Sequence, residues 1–203
     1  MITRYSEATL PTPHGEFRIV VYRTGDDTGP GGTALGVGKE EHVAMVLGDV
    51  AGGGVLTRVH SSCFTGEVLG SLRCDCRAQL DAALDRIGRE GRGVLVYLVQ
   101  EGRGIGLGNK VAAYQLQDAG ADTVDANLAL GFDVDLRSYD LAASILSDLG
   151  VTSVRLMTNN PQKIAGLEGA GVVVDAQEPH WVDASEQSQG YLSTKKSRLG
   201  HIS

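Results

Sequence analysis

The chain has 203 residues, 42% of them hydrophobic, and a formal net charge of −7. That is enough apolar material for one sizeable core without disulfides, so a single domain over residues 1–203 is expected, and the acidic balance excludes a nonspecific nucleic-acid coat. No apolar run approaches the roughly 20 residues of a membrane span, and the opening "MITRYSEATLPTPHGEF" has neither a basic start nor an apolar signal core; the expected setting is the cytoplasm, with no membrane partner.

In chain order, "FRIVVY" (17–22), "HVAMVLGDV" (42–50) and "VLTRVH" (55–60) are short β-branched runs bounded by glycine and read as strands. Between the first two, residues 24–41 carry glycines and acidic residues that cannot build a core, so a surface loop is expected there. Leu80, Ala83, Leu84 and Ile87 recur at i, i+3, i+4 and i+7, which predicts an amphipathic helix over "RAQLDAALDRIGREG", ended by glycine. "GVLVYLVQ" (93–100) is then a buried strand, followed by the glycine loop "EGRGIGLGNK" and a helical "VAAYQLQDAG". Leu141, Ile145 and Leu149 mark a further helix closed by Gly150. The strand "SVRLMT", the loop "NNPQK", another helix and the strand "GVVVDA" complete the pattern. Strands and helices that alternate in this way imply a single layered α/β domain of mixed β-sheet and helices, with loops gathered at strand ends. The last residues, about 190–203, read as a polar tail.

All three cysteines, Cys63, Cys74 and Cys76, fall within "RVHSSCFTGEVLGSLRCDC". In a reducing compartment an odd cluster of thiols points to metal or thiol chemistry rather than to a disulfide. Thiolates suit zinc, and three ligands without a fourth favour an open, catalytic site over a closed structural one. Two plainer readings stand beside it: His60 as a fourth ligand of a purely structural metal, or three unrelated buried thiols. Arg58, Arg73 and Arg77 lie near in sequence and would offset the thiolate charge, although each by itself reads as a solvated surface cation.

Two loops are placed to bind an anion. "EGRGIGLGNK" follows a strand and opens a helix, which suits phosphate, but its glycines fit neither G-x-G-x-x-G nor a P-loop, and a tight turn explains them equally well. "TNNPQK" has the same placement, with Pro161 suited to a first helical position and Lys163 one turn in. In "DVDLRSYD", Asp135 and Arg137 stand two apart, and Ser138 or Asp140 is available to cap the next helix. Tyr114 by itself reads as a half-buried aromatic.

Taken together, "RVHSSCFTGEVLGSLRCDC", "RAQLDAAL", "QEGRGIGLGNK", "YQLQDAGADTVDAN", "LGFDVDLRSYDLAASIL" and "RLMTNNPQK" resemble the GTP cyclohydrolase II family, and the match runs from "PTPHGEF" to "YLSTKKSRLGH". The resemblance implies a riboflavin-pathway enzyme that converts GTP to 2,5-diamino-6-ribosylamino-4(3H)-pyrimidinone 5′-phosphate, formate and pyrophosphate. It implies one zinc per subunit, magnesium with the substrate phosphates, and a homodimer. By position, Cys63, Cys74 and Cys76 match the zinc ligands. Arg58, Val59, His60, Ser61, Ser62, Gln79, Glu101, Gly102, Arg103, Thr123, Thr158 and Lys163 match the GTP contacts. Tyr114 matches the tyrosine near C8 of the purine, Asp135 the proton acceptor, and Arg137 the residue assigned as nucleophile toward the α-phosphorus. A guanidinium is permanently protonated, so charge stabilisation is the role that Arg137 fills most readily.

One position departs from the family, which usually reads R-V-H-S-E-C; here Ser62 stands where the glutamate is usual. Two alternatives therefore stay open at this point: a variant that stops at the formylamino-pyrimidine, and a paralogue that binds GTP without turnover. A zinc nucleoside deaminase is disfavoured, because its H-x-E and P-C-x-x-C signature is missing.

Overall fold

The structure is a computed structural model and describes residues 2–25, 40–120, 122–132, 135 and 137–182. Seven strands form one sheet: β1 (Ile2–Thr12), β2 (Gly15–Thr24), β3 (Glu41–Leu47), β4 (Val55–Ser61), β5 (Gly93–Leu98), β6 (Ser153–Met157) and β7 (Val173–Glu178). Their spatial order is β1-β2-β3-β5-β4-β6-β7. Pairing is antiparallel from β1 through β3 to β5 and parallel across β5, β4, β6 and β7. The mixed, layered α/β reading is borne out.

Among the described residues six helices accompany the sheet: α1 (Phe64–Glu67), α2 (Cys76–Glu90), α3 (Gly106–Asp118), α4 (Thr123–Ala129), α5 (Asp140–Asp148) and α6 (Pro161–Gly169), with a 3₁₀ turn at Glu101–Gly104. The period-2 alternation of the strands divides the core in two. Val94, Val96 and Leu98 of β5 face Ala142, Ile145 and Leu146 of α5 and Leu167 of α6. Leu95 of the same strand faces Ala83, Leu84 and Ile87 of α2, together with Phe17, Leu56 and Met157. Full burial of a side chain such as Ile87 contributes about 2 kcal/mol, which is why the helical stripe legible in the sequence became the packed face of α2.

Several elements differ from expectation. β1 was not foreseen; nine of its eleven residues are exposed, so it has no apolar alternation to betray it, and its pairing with β2 holds it in place. α1 and α4, of 4 and 7 residues, are too short for a periodic signal. The "NNPQK" loop is shorter than expected, because Asn160 accepts the N–H of Gln162 and starts α6 at Pro161. The N-cap of α5 falls on Tyr139, while Ser138 accepts the N–H of Asp140 from one position earlier. The loop expected at 24–41 falls largely on residues 26–39, which lie outside the described residues, as does the tail; β2 runs to Thr24 and β3 begins at Glu41. Among the described residues, no helix is long and apolar enough to cross a membrane.

Parallel β4, β5 and β6 all end on one edge of the sheet, and a crevice outside the carboxyl ends of parallel strands is where α/β proteins bind ligands. Ser61 to Cys63, the 3₁₀ turn after β5, and Thr158 to Lys163 after β6 all emerge at that edge.

Candidate active site

Ser62 closes the end of β4 against the end of β5: its N–H donates to the Leu98 carbonyl at 2.8 Å and its Oγ accepts from Gln100 N at 3.1 Å. The chain then turns through Cys63 into α1, and α2 begins at Cys76. The Sγ atoms of Cys63, Cys74 and Cys76 lie within 4.8 Å of one another. Gly66 lets them converge, since a Cβ there would sit 2.8 Å from Cys74 Sγ and 3.3 Å from Cys63 Sγ. His60 is not part of this group; its Nε2 pairs instead with Glu67 Oε1 at 2.8 Å. Glu67 also accepts from Tyr97 Oη at 2.6 Å, and the His60 and Tyr97 rings stack.

The chemistry of the donor set fits a soft divalent metal. Hydrogen bonds from Cys74 and Cys76, then the Lys110 ammonium, hold the Cys63 thiol far below its ordinary value against the opposing effect of burial. Cys74 and Cys76 are in turn raised, chiefly because they share protons with Cys63. By itself the cluster thus favours one thiolate, and a bound cation is what would ionise all three.

Around the sulfurs, Lys110 Nζ lies 3.1 Å from Cys63 Sγ and 2.6 Å from Glu101 Oε1. Burial works against its charge, but Glu101 and the Cys63 thiolate raise its pKa. Tyr114 Oη reaches Thr65 Oγ1 at 3.3 Å, and the Arg73 guanidinium stands over its ring at 4.7 Å. Burial raises the Tyr114 pKa, so it holds its proton at neutral pH. In the 3₁₀ turn, Gly102 has φ 63° and Arg103 φ 62°. The left-handed conformation is easy for glycine but strained for arginine, and such strain is concentrated at ligand clamps and active sites.

A second corner of the same edge gathers cations. Arg58 was expected as a solvated surface charge, and the structure corrects this: the residue is 6% exposed. Its guanidinium donates to the Met157 carbonyl at 2.7 Å and to Gln79 Oε1 at 2.6 Å, and Gln79 donates onward to Asp75. Burial pulls the Arg58 pKa down to about 10, with Asp75 opposing. Lys163, in the first turn of α6, is buried and donates to the Val59 carbonyl at 2.7 Å. Thr158 accepts the N–H of Asn160 and is also buried. Asp135 and Arg137 form a two-pronged pair through Nε and Nη2. Burial alone would raise the Asp135 carboxyl, but Arg137 outweighs it and holds it below the ordinary range. The Arg103 charge acts on Asp135 and that of Arg137 on Arg58, which links the two corners.

Of the buried polar atoms with no hydrogen-bond partner among the described residues, Arg58 Nε, His60 Nδ1 and Ser61 Oγ lie on β4 and Gln100 Oε1 lies just after β5. Such groups are costly to bury unless something satisfies them, so they mark a place for a polar ligand. Of the residues singled out from the sequence, Thr123 begins α4, and its side chain lies outside the described part. The sequence pattern gave no role to Glu67, Thr65, Gln100, Gly66 or Lys110. Lys110 is eight residues and two turns of backbone beyond the 3₁₀ turn's Gly102, a spacing that signals nothing until α3 is seen to lean on the cysteines.

Residues 3–179 match the family model described as GTP cyclohydrolase II. Curated relatives described as riboflavin biosynthesis protein RibBA are closely similar. The one from Bacillus subtilis is 53% identical over 204 residues, covering 100% of this chain and 48% of the relative. Those from Bacillus cereus and Rhodococcus erythropolis are each 52% identical, covering 100% and 98% of this chain and 48% and 46% of the relative. The chain therefore spans about half the length of the curated relatives it matches. Among solved structures, RibBX, a two-domain 3,4-dihydroxy-2-butanone 4-phosphate synthase from A. baumannii, aligns with a TM-score of 0.44 and 22% identity. That match covers 90% of this chain and 40% of the other, a likeness too distant to bear on fold or function. With a family model that spans most of its length and relatives at about half identity throughout, the chain belongs to the GTP cyclohydrolase II family.

Proposed function

We propose that this chain is a zinc- and magnesium-dependent GTP cyclohydrolase II of riboflavin biosynthesis, working in the cytoplasm as a homodimer with one zinc per subunit. It would hydrolyse GTP to 2,5-diamino-6-ribosylamino-4(3H)-pyrimidinone 5′-phosphate, formate and pyrophosphate. The observation that carries the reading is the convergence of three thiols just beyond the end of β4, within a family match over residues 3–179; unsatisfied buried polar atoms on β4 and just after β5 support it.

Cys63, Cys74 and Cys76 would hold the zinc, which supplies Lewis-acid activation at the purine end of the substrate. Magnesium belongs with the phosphates. Tyr114, protonated and oriented by Thr65, is placed to donate a proton or orient water beside that corner. His60, Ser61, Ser62 and Gln79, with the loop residues Gly102 and Arg103, line the approach to the nucleotide. Arg58, Lys163, Thr158 and Thr123 serve the remainder of it. Asp135 is held ionised by Arg137 and would accept a hydrogen bond or proton. A guanidinium clamped on a carboxylate is a poor nucleophile, so Arg137 acts by stabilising charge on the α-phosphoryl group as pyrophosphate leaves.

One second reading rests on Ser62. Its hydroxyl accepts the Gln100 N–H and brings no carboxylate to the site, which favours a variant that releases pyrophosphate but stops at the formylamino-pyrimidine. A single incubation of zinc-loaded protein with GTP and magnesium separates the cases, with formate, pyrophosphate and pyrimidine product quantified together. Equal amounts are expected. Pyrophosphate without formate would establish the truncated variant, and GTP binding with neither product would make the chain a binding protein. In the first case Tyr114→Phe should slow formate release by about 10²-fold or more while sparing pyrophosphate release.

A further inference from the structure

Glu101 and Lys110 lie on different elements, the 3₁₀ turn and α3, yet both are directed at the segment around Cys63. Glu101 Oε2 accepts the backbone N–H of Phe64 at 2.6 Å, the peptide immediately after the ligand cysteine. Its Oε1 accepts from Lys110 Nζ at 2.6 Å and from its neighbour Gly102 N at 2.9 Å. Lys110 in turn donates to Cys63 Sγ at 3.1 Å. The side chains of the pair are only 13% and 12% exposed, so neither swings freely. A carboxylate has about four acceptor positions, and three of these are already filled by the chain itself.

We propose that Glu101 and Lys110 are positioning residues of the thiolate metal site, and that the Glu101 carboxylate serves the metal loop rather than the nucleotide. The proposal rests on the metal-dependent reading above. Three thiolates around a divalent cation carry a net charge of −1, which the Lys110 ammonium offsets locally at Cys63, while its partner Glu101 leaves the group as a whole at −1. A hydrogen bond to sulfur also lowers the electron density that Cys63 gives to the metal, which keeps the metal electron-poor enough to polarise what it binds. Glu101 fixes both that ammonium and the peptide that orients Cys63. Nucleotide contact at positions 101–103 then falls to the backbone of Gly102 and to the Arg103 side chain.

The test uses zinc-loaded protein and a chromophoric chelator in competition for the metal, alongside steady-state kinetics with GTP. Glu101→Gln and Lys110→Met should each weaken zinc binding by about 10–100-fold, and Lys110→Arg should restore most of it. With zinc in excess, KM for GTP should stay within about threefold of wild type for Glu101→Gln, because outer-shell groups act through the metal. Unchanged zinc affinity with a raised KM would overturn the proposal and make Glu101 a nucleotide contact. Loss of zinc in Lys110→Arg equal to that in Lys110→Met would show that packing, not charge, is at stake, and would also overturn it. Wild-type protein that takes up no zinc would sink the metal reading itself and this proposal with it.

Discussion

The two corners of the site are built in opposite ways. The thiol corner draws its sulfurs from residues 63 to 76, at the N-cap of a short helix, in a turn and at the start of α2, where Gly66 lets them close up. The cation corner draws Arg58, Arg137 and Lys163 from β4, the approach to α5 and the first turn of α6, and two of these three are anchored on backbone carbonyls across the sheet. A local cluster depends on close packing of a few atoms, whereas a distributed one depends on the register of parallel strands. Damage should therefore be absolute in the first and graded in the second.

The largest effect is expected from Cys76→Ser. Removal of one of three ligands should empty the metal site, measured as metal content, and cut formate release by roughly a thousandfold or more, the several kcal/mol that a catalytic metal supplies. Metal retention with full activity would break the comparison at its first corner. Next, Arg137→Lys keeps the charge but loses the two-pronged contact to Asp135, so pyrophosphate release should fall by about a hundredfold while metal content stays at wild type. A matching loss of metal would mean that the corners are a single unit.

Gly66→Ala sharpens the local side. The added methyl meets Cys74 Sγ at 2.8 Å, so it should cost about 1–3 kcal/mol in unfolding free energy and weaken metal binding, measured by denaturant titration and chelator competition. The smallest effect is electrostatic. His180 is buried against the carbonyl of Gln79, and burial, aided by Arg58, lowers its pKa from 6.5 to about 4. Above 6.5 both folded and unfolded chains hold it neutral. As pH falls toward 4 the unfolded chain takes up the proton first, so stability drops across that window by about 2–3 kcal/mol. His180→Asn should flatten that part of the pH-stability curve relative to wild type; parallel curves would show that the imidazole is not held neutral by the fold.

The contrast also explains what could be read in advance. The cysteine cluster was legible because its members are adjacent in sequence and few other chemistries need three thiols so close. The strands β2 to β6 and helices α2, α5 and α6 were legible because each buries apolar residues, as Leu80, Ala83, Leu84 and Ile87 do on α2, and β7 was legible from its run of valines although it is mostly exposed. β1 was not, since an exposed edge strand has no face to mark it. Arg58 reads as a surface charge from its neighbours alone, and it is buried only because β6 and α2 bring Met157 and Gln79 to meet it.

The amino-acid sequence by itself determined the alternating α/β pattern, the three-thiol donor set and the motif order that identifies the family, because each is carried by residue type and local spacing. Only the tertiary structure decided that His60 turns to Glu67 and away from the sulfurs, and that Glu101 and Lys110 press on Cys63. It also decided that Arg58 and Lys163 are buried at the strand ends. Those outcomes depend on which strands lie side by side in the order β5-β4-β6 and on how the loops turn at their ends, and hydrogen bonds between residues 7 to 104 positions apart have no signature in spacing.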